Sequence, residues 1–465
     1  MPLISASTRS SRRHSIRTGP TRTSRAPRSA HVASTSLRLA AAAALIVLAL
    51  PVAARAQDTT SREGIRLGLK YELGTRPGVL VLPVAGAGGD SVRAILQRDL
   101  DFGDRVTVLP AGADVARPQG GRFNYDLLAK LGAAAMVEAS VVPSGVRIAV
   151  HDVGAKRVLQ RRDFALPSGA GTPEWRLAVH SASDEVERWI TGTRGVAATR
   201  ILFVRDGRVY VVDSDGENVR AITANGTALS PAWHPSGQSI AYVLFGDKGT
   251  QVIARELGSG ATRRVSNVGS GLNITPTFSP DGRTLAFAHG EEEGTDIFAA
   301  ASLGGAPQRV TVGRGSDNVS PTFSPDGRRI AFTSGRSGHP EVYISDIDGT
   351  NAELLTPFNF GDQSYRSNPD WSPDGRSIAF QSQLAGQFQI MTINLRDRSL
   401  KQLTAEGMNE DPSWAPDGRH VVFVSNRTGV KQLFVLDTET GRARQVTRGA
   451  AVRFPAWSPF LDRAR

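Results

Sequence analysis

Few side chains in this sequence have the types and spacing that chemistry requires. No two of its eight histidines have metal-ligand spacing, and no His-Glu-x-x-His motif occurs. The sequence has no Gly-x-Ser-x-Gly nucleophile elbow and no cysteine, which excludes thiol catalysis, disulfides and cysteine-linked lipid anchors. We therefore predict no catalytic residue, no metal site, no cofactor and no enzymatic activity.

Two loop patterns resemble ligand-binding loops but lack their key residues. Residues 85–90 are rich in glycine, yet they lack the Lys and the Ser or Thr of a phosphate-binding loop. Asp-x-Asp-Gly segments such as 346–349 lack the remaining ligands of a calcium loop. Turn geometry explains these segments, because tight turns favour Asp and Gly.

A short phrase repeated six times organises the chain from residue 231 onward. The phrase begins with proline, has Trp or Phe two residues later, and continues into a second proline. Its copies start 43 to 48 residues apart, at Pro231, Pro276, Pro321, Pro369, Pro412 and Pro455. Each complete copy has four short runs rich in β-branched or aromatic residues, separated by turn signals. A period near 45 residues with four strands is typical of a β-propeller blade.

The sixth copy stops after its first strand, and the missing three strands are predicted near residue 200. Residues 199–204, 208–212 and 219–223 have the required patterns. Pairing of residues 453–459 with residues 201–204 would close the ring and remove its free sheet edges. The predicted fold class is mainly β, a six-bladed β-propeller preceded by a small α/β domain.

The chain divides into three predicted segments. Residues 1–56 form a signal peptide, residues 57–195 an N-terminal α/β domain, and residues 196–465 a propeller closed by pairing of both its ends. Within the α/β domain, hydrophobic periodicity predicts strands at 78–83, 106–109, 134–142, 146–152 and 158–164, and helices at 90–102, 124–131 and 173–190. The link at 192–198 is expected to dock this domain on the propeller.

The first segment has the features of an export signal. Its apolar core, Leu39 to Leu50, has 12 residues, too few to span a bilayer. Ala54-Arg55-Ala56 fits the small-x-small cleavage pattern, so cleavage is predicted between Ala56 and Gln57. A twin-arginine signal and a retained membrane anchor stay open as alternatives.

The basic character of the whole chain comes from the same segment. The formal net charge is +11, but residues 1–56 contain nine arginines and no Asp, Glu or Lys. Without them, 46 basic and 44 acidic residues remain, so the mature chain is close to neutral. We therefore predict no nucleic-acid partner.

Three stretches resemble the TolB family of the bacterial Tol-Pal system. Residues 180–202 are similar to the family's junction between domains, residues 76–83 to its first core strand, and residues 453–461 to its ending. The resemblance covers essentially the whole mature chain. It implies a non-enzymatic periplasmic adaptor, a monomer within a multi-protein envelope complex, that supports outer-membrane integrity and constriction at cell division.

The resemblance also implies two partners. The propeller would bind a Pal-like outer-membrane lipoprotein anchored to peptidoglycan. The segment after the signal peptide, residues 57–75, would bind a TolA-like inner-membrane protein. The residues assigned to that second contact are Ile65, Arg66, Leu67, Leu69 and Tyr71.

One end of the propeller is predicted to hold the lipoprotein. The turns from strand one to two and from three to four are uniform among the repeats, whereas the loops at the opposite end differ. Differing loops on a stiff scaffold suit recognition. The predicted contact residues are Leu272, Asn273, Asn318, Val319, Tyr365, Arg366, Met408, Asn409, Glu410, Arg453 and Phe454.

Other interpretations of the propeller remain open. Tyr365 and Phe454 could instead plug its channel. A hydrolase or lyase with its site in the channel is one alternative function, and a glycan-binding protein is another. A cluster of histidines and carboxylates at the channel mouth would favour the enzyme.

Overall fold

The computed structural model describes residues 76–110, 123–224, 226–247, 249–265, 271–292, 294–313, 316–357 and 364–462. The predicted signal peptide, its cleavage site at Ala56 and Gln57, and the segment Ile65 to Tyr71 lie outside these residues. No helix in the described part of the chain is both long and apolar enough to cross a membrane.

The N-terminal part is a five-stranded sheet in the order β2-β1-β3-β4-β5. β1 pairs in parallel with β2 and β3, and β3 to β5 form an antiparallel meander. The strands are β1 (Gly78–Val81), β2 (Thr107–Val108), β3 (Ala133–Val142), β4 (Gly145–Asp152) and β5 (Arg157–Ala165). The α/β prediction for this part is therefore correct.

Three helices accompany the sheet: α1 (Gly89–Phe102), α2 (Tyr125–Lys130) and α3 (Pro173–Thr191). The Asn124 side chain caps α2 by accepting a hydrogen bond from Leu127 N. Thr172 caps α3, whose first residue, Pro173, has no amide hydrogen to satisfy. α1 and α3 pack together against β1, β3 and β4 around one apolar core.

The rest of the described chain forms six four-stranded antiparallel sheets, the blades of a β-propeller. Blade one is β9 (Ala228–Trp233), β10 (Ser239–Gly246), β11 (Gly249–Glu256) and β12 (Thr262–Arg264). Blade two is β13 (Leu272–Phe278), β14 (Thr284–Glu291), β15 (Gly294–Ala301) and β16 (Gln308–Arg309). Blade three is β17 (Asn318–Phe323), β18 (Arg329–Ser334), β19 (Glu341–Asp346) and β20 (Glu353–Leu354).

Blades four and five continue the pattern, and blade six combines strands from the two ends of the repeat region. Blade four is β21 (Arg366–Trp371), β22 (Ser377–Leu384), β23 (Gln387–Asn394) and β24 (Leu400–Gln402). Blade five is β25 (Asn409–Trp414), β26 (His420–Ser425), β27 (Gln432–Asp437) and β28 (Ala443–Gln445). Blade six is β29 (Val452–Trp457), β6 (Arg200–Arg205), β7 (Arg208–Asp213) and β8 (Arg220–Ala221).

The ring closes as the sequence predicts. β29 pairs antiparallel with β6, and Trp457 lies opposite Ile201 while Arg453 lies opposite Val204. The Trp457 indole also donates a hydrogen bond to Thr199 Oγ1 at 2.8 Å. The six-bladed fold class is therefore confirmed, whereas the exact domain limits at 56 and 195 stay predictions.

Every inner strand has a bulge at the residue before its proline. These residues have positive φ angles of 44° to 55°, and they are Ser230, Thr275, Ser320, Asn368, Asp411 and Phe454. The ladder to the second strand shifts register at the same place in all six blades. Because a bulge re-aims side chains, this position lines the central channel.

The α/β domain docks directly on blades five and six. Arg98 of α1 pairs with Asp215, in the β7–β8 turn, at 2.9 Å, and Arg105 pairs with Asp417, in the β25–β26 turn, at 3.3 Å. The expectation of docking through the link at 192–198 is thus incomplete, because helix and turn side chains make further ion pairs.

Candidate binding surface at the loop end of the propeller

The propeller has two unlike ends. We call the end with the turns from strand one to two and from three to four the turn end, and the opposite one the loop end. The ion pairs of α1 and α3 with Asp213 and Asp215, and that of Arg105 with Asp417, fall at the turn end. The residues predicted to contact a partner lie in the loops of the loop end or in the inner strands that begin there.

Exposed apolar side chains occur around the loop end. Leu272 is 50% exposed and Tyr365 is 40% exposed, so these two predicted contact residues reach solvent. Arg453 is also exposed. Four further exposed apolar residues of this end were missed by sequence reasoning: Phe245, Val312, Leu384 and Val430. Three of these lie in or beside loops that differ between repeats, and this variation is the sequence feature that could have identified them.

Three predicted contact residues are instead buried, which corrects the prediction. Asn273, Asn318 and Asn409 are at most 2% exposed. Asn318 Nδ2 donates to Asp296 Oδ1 at 2.9 Å, and Asn409 Nδ2 donates to Gln389 Oε1 at 2.8 Å. Each bond joins an inner strand to the third strand of the preceding blade. Because a buried amide needs partners, this position holds neighbouring blades together.

The two charged residues Arg366 and Glu410 are half-buried and already paired. Arg366 contacts Glu341 Oε2 at 3.2 Å and donates to the Pro357 carbonyl at 2.7 Å. Glu341 is fully buried, so removal of Arg366 would leave an uncompensated charge. Glu410 pairs with Lys431. Both residues therefore stabilise the loop end. A charge-reversed variant would lose stability, so a loss of partner binding could not be separated from a loss of folding.

The remaining predicted residues differ in position. Val319, Met408 and Phe454 are half-buried. Phe454 lines the channel, whereas the Tyr365 ring packs edge-on against Phe388, 5.2 Å between centroids. Phe454 thus matches the channel-lining alternative, and Tyr365 does not belong to the lining.

The central channel encloses a cavity of about 250 Å³ lined by the six inner strands. Burial raises the pKa of Asp370 to about 6, although Trp414 N donates to it at 2.7 Å. Burial also raises the pKa of Asp411, whose Oδ1 accepts from Asn368 Nδ2 at 2.6 Å. The described lining has no histidine, lysine or cysteine that could act as a base or nucleophile beside these carboxylates.

Two clusters of buried side chains at the turn end could in principle hold a metal ion, because in each of them three possible ligand atoms lie within 4.8 Å of one another. One is Asp99, His180 and Asp215, and the other contains Asp104 and His420. Arginines already pair with most of these carboxylates: Arg176 and Arg98 contact Asp215, and arginines also pair with the acids of the second group. Asp99 is bonded to His180 itself. We therefore interpret both groups as ion-pair networks between the domains.

The fold and this surface define a class of protein: a six-bladed β-propeller that carries an α/β domain at one end and differing loops at the other. A family model described as the TolB β-propeller domain matches residues 187–461. The chain therefore belongs to the TolB β-propeller family.

Known relatives agree with this assignment. The Tol-Pal system protein TolB of Haemophilus influenzae is 31% identical over 213 residues, covering 42% of this chain and 48% of the relative. The protein of that name from Methylococcus capsulatus is 34% identical over 203 residues, with coverages of 41% and 47%. The match to these curated relatives thus spans about half of their length.

A solved structure shares the architecture of nearly the whole described chain. The crystal structure of TolB from Acinetobacter baumannii superposes with a TM-score of 0.72 at 24% identity, covering 83% of this chain and 97% of that one. At this identity the likeness shows the fold.

Proposed function

We propose that this chain is a Tol-Pal system component that acts as a periplasmic adaptor without enzymatic activity. Its family membership and the names of its relatives support this proposal. The predicted export signal supports the location. The channel supports a binding role, because its two carboxylates accept hydrogen bonds from neighbouring blades and have no adjacent base in the described lining.

The loop end is the proposed site for a Pal-like outer-membrane lipoprotein. The observation that carries this proposal is the division of the two ends, since the α/β domain docks at the turn end while Leu272 and Tyr365 are exposed at the loop end. Aromatic and apolar side chains that reach solvent are the usual anchors of protein interfaces. Arg453 and the half-buried Met408 extend the proposed surface.

A second partner, a TolA-like inner-membrane protein, is proposed for residues 57–75. The family resemblance supports this assignment, with Ile65, Arg66, Leu67, Leu69 and Tyr71 as the contact residues. With both contacts made, the adaptor would link the two membranes and support outer-membrane integrity during constriction. Deletion of 57–75 from the mature chain should abolish binding to the TolA-like protein and leave lipoprotein binding intact.

Binding of the mature chain to the purified periplasmic domain of the lipoprotein tests the main proposal. The double variant Leu272→Ser and Tyr365→Ser should weaken affinity by about tenfold or more, because truncated anchors cost over about 1 kcal/mol each. Ile347→Ser is the matched control, since Ile347 is an exposed apolar residue in the β19–β20 turn of the turn end. Equal affinities for the double variant and the wild type would contradict the proposed site.

A further inference from the structure

Helix α3 carries a row of buried titratable side chains between the α/β domain and the propeller. The row is Arg176, His180, Asp184 and Glu187, spaced so that all four lie on one side of the helix. His180, Asp184 and Glu187 are at most 3% exposed. Burial of so many ionisable groups makes their protonation depend on whether the domains are docked.

His180 lies between carboxylates from two other elements. Its Nδ1 is 2.8 Å from Asp99 Oδ2 of α1, and its Nε2 is 4.0 Å from Asp215 Oδ2 of blade six. Arg176, bound to Asp213 and Asp215, approaches Nε2 at 3.3 Å and opposes protonation. Burial lowers the pKa of His180, but Asp99 and Asp215 outweigh it and raise the pKa above its ordinary value.

Asp184 holds the chain that enters blade six. Its Oδ1 accepts a hydrogen bond from Ala197 N at 2.7 Å, and its Oδ2 accepts one from Ala198 N at 3.0 Å. The Arg194 guanidinium is 3.8 Å from the same carboxylate. Burial raises the pKa of Asp184 to about 7, which exceeds the opposite effect of these hydrogen bonds.

Glu187 lies in the same interface, three residues further along α3. Arg105 Nε is 3.2 Å from its Oε1, and Gly195 approaches so closely that a Cβ there would lie 2.7 Å from Oε2. Asp417 and Arg419 of blade five face it from the propeller. Burial raises the pKa of Glu187 to about 8, and the Arg105 charge offsets only part of this rise.

We propose that the α/β domain docks on the propeller with uptake of protons, so that the row on α3 is a latch that loosens as the pH rises. The proposal concerns regulation of domain docking and does not depend on the proposed adaptor function. The groups that bind the protons are His180, Asp184 and Glu187. Each side chain becomes solvated when the propeller moves away, and its pKa then returns toward the ordinary value.

The three groups act in the same direction. Protonated His180 stabilises docking fully below its ordinary pKa, near 6.5, and this contribution is lost as the pH rises through the raised pKa. Asp184 and Glu187 are neutral in the docked state at pH values where solvated carboxyls are ionised, so docking weakens from about pH 4 up to about 7 or 8.

Other charged groups of the interface do not reverse this trend near neutral pH. His180 and Arg176 hold the pKa of Asp215 below its usual range, and His420 does the same for Asp417, both against the effect of burial. The titration of these two carboxyl groups therefore affects docking only at acidic pH. Further charged side chains at this interface are Arg98, Asp101, Asp104, Arg200, Arg419, His420, Asp437, Arg442 and Arg444.

Fluorescence energy transfer between the two domains would measure docking in the full mature chain. The sequence has no cysteine, so the exposed positions Gln160→Cys and Arg396→Cys can be labelled without interference. Domain separation would be followed in increasing urea, below the unfolding of the propeller. Because one unit of pKa shift corresponds to a tenfold change in the linked equilibrium, we expect docking to be about tenfold weaker or more at pH 8.5 than at pH 6.5.

Glu187→Gln tests the source of the effect. Glutamine is neutral at every pH and resembles the protonated acid, so this variant should dock more tightly than the wild type at pH 8.5 and should show a smaller pH dependence. Glu185→Gln is the matched control, because Glu185 is on the same helix and pairs with Arg188 near the surface. It should keep the pH dependence of the wild type.

Two results would overturn the latch. One is docking of the wild type that is constant within about twofold over this range, or that strengthens as the pH rises. The other is equal behaviour of Glu187→Gln and Glu185→Gln, which would indicate a general charge effect. If Glu187→Gln fails to fold, the wild-type titration still decides, since a flat profile alone refutes the proposal.

Discussion

Replacement of Trp457 by phenylalanine should weaken the propeller, whereas the same replacement at the equivalent Trp414 should not. Both indoles are nearly buried, at 6% and 8% exposed, between neighbouring blades. The Trp457 Nε1–H donates to Thr199 Oγ1 at 2.8 Å, across the seam where the chain ends meet. Trp414 Nε1 is buried without a hydrogen-bond partner among the described residues.

The expected magnitudes follow from this difference. Both replacements lose volume, which costs about 1 kcal/mol at roughly 24 cal/mol per Å³ of cavity. Trp457→Phe also loses a hydrogen bond worth about 1 kcal/mol, for a total near 2 kcal/mol. Trp414→Phe instead removes an unsatisfied donor whose burial costs about 1–3 kcal/mol, so its net effect should lie between neutral and stabilising.

Urea unfolding of the mature chain, followed by circular dichroism, would give both free energies. The difference between the two variants should be about 2 kcal/mol or more at an unchanged m-value. Phenylalanine already occupies this position in blades two and three, as Phe278 and Phe323, so the ring itself fits the repeat. Equal destabilisation of the two variants would refute the hydrogen-bond reasoning.

Two further predictions concern the channel and the contacts between blades. Burial raises the pKa of Asp370 to about 6, so this residue should contribute a fall in stability as the pH rises from about 4 to about 6. The loss of stability between pH 4.5 and pH 7, measured by urea unfolding, should therefore be smaller in Asp370→Asn than in the wild type by about 1–2 kcal/mol, a difference that channel water has already reduced. Asn409→Ala should destabilise the fold by about 1–3 kcal/mol, because Gln389 Oε1 loses one of its two donors and Arg427 Nη2 loses the Asn409 oxygen that accepts from it. The affinity of the folded variant for the lipoprotein should be unchanged. An affinity loss without destabilisation would return Asn409 to the contact surface.

The repeats made most of the fold predictable. Proline spacing set the number of blades, and the strand patterns near residue 200 completed the blade that the last copy left unfinished. Pairing of Trp457 with Ile201 then followed from the need to close the ring. Local signals were sufficient here because each blade repeats the same turn chemistry.

Burial of polar residues was not predictable in the same way. Asn318 and Asn409 lie where loops become strands. The sequence does not show that a side chain of the preceding blade accepts a hydrogen bond from each of them. His180, Asp184 and Glu187 are of types that usually face water, yet all three are buried in the fold. These contacts join residues far apart in the chain, so no local pattern indicated them.

Hydrogen–deuterium exchange of the mature chain, with and without the lipoprotein's periplasmic domain, is the most direct test of the central claim that the loop end binds the partner. We predict slower exchange in the loop-end segments 271–273, 364–366, 383–387, 427–431 and 452–454. Protection restricted to the turn end, near residues 346–349 or 415–418, would contradict the account.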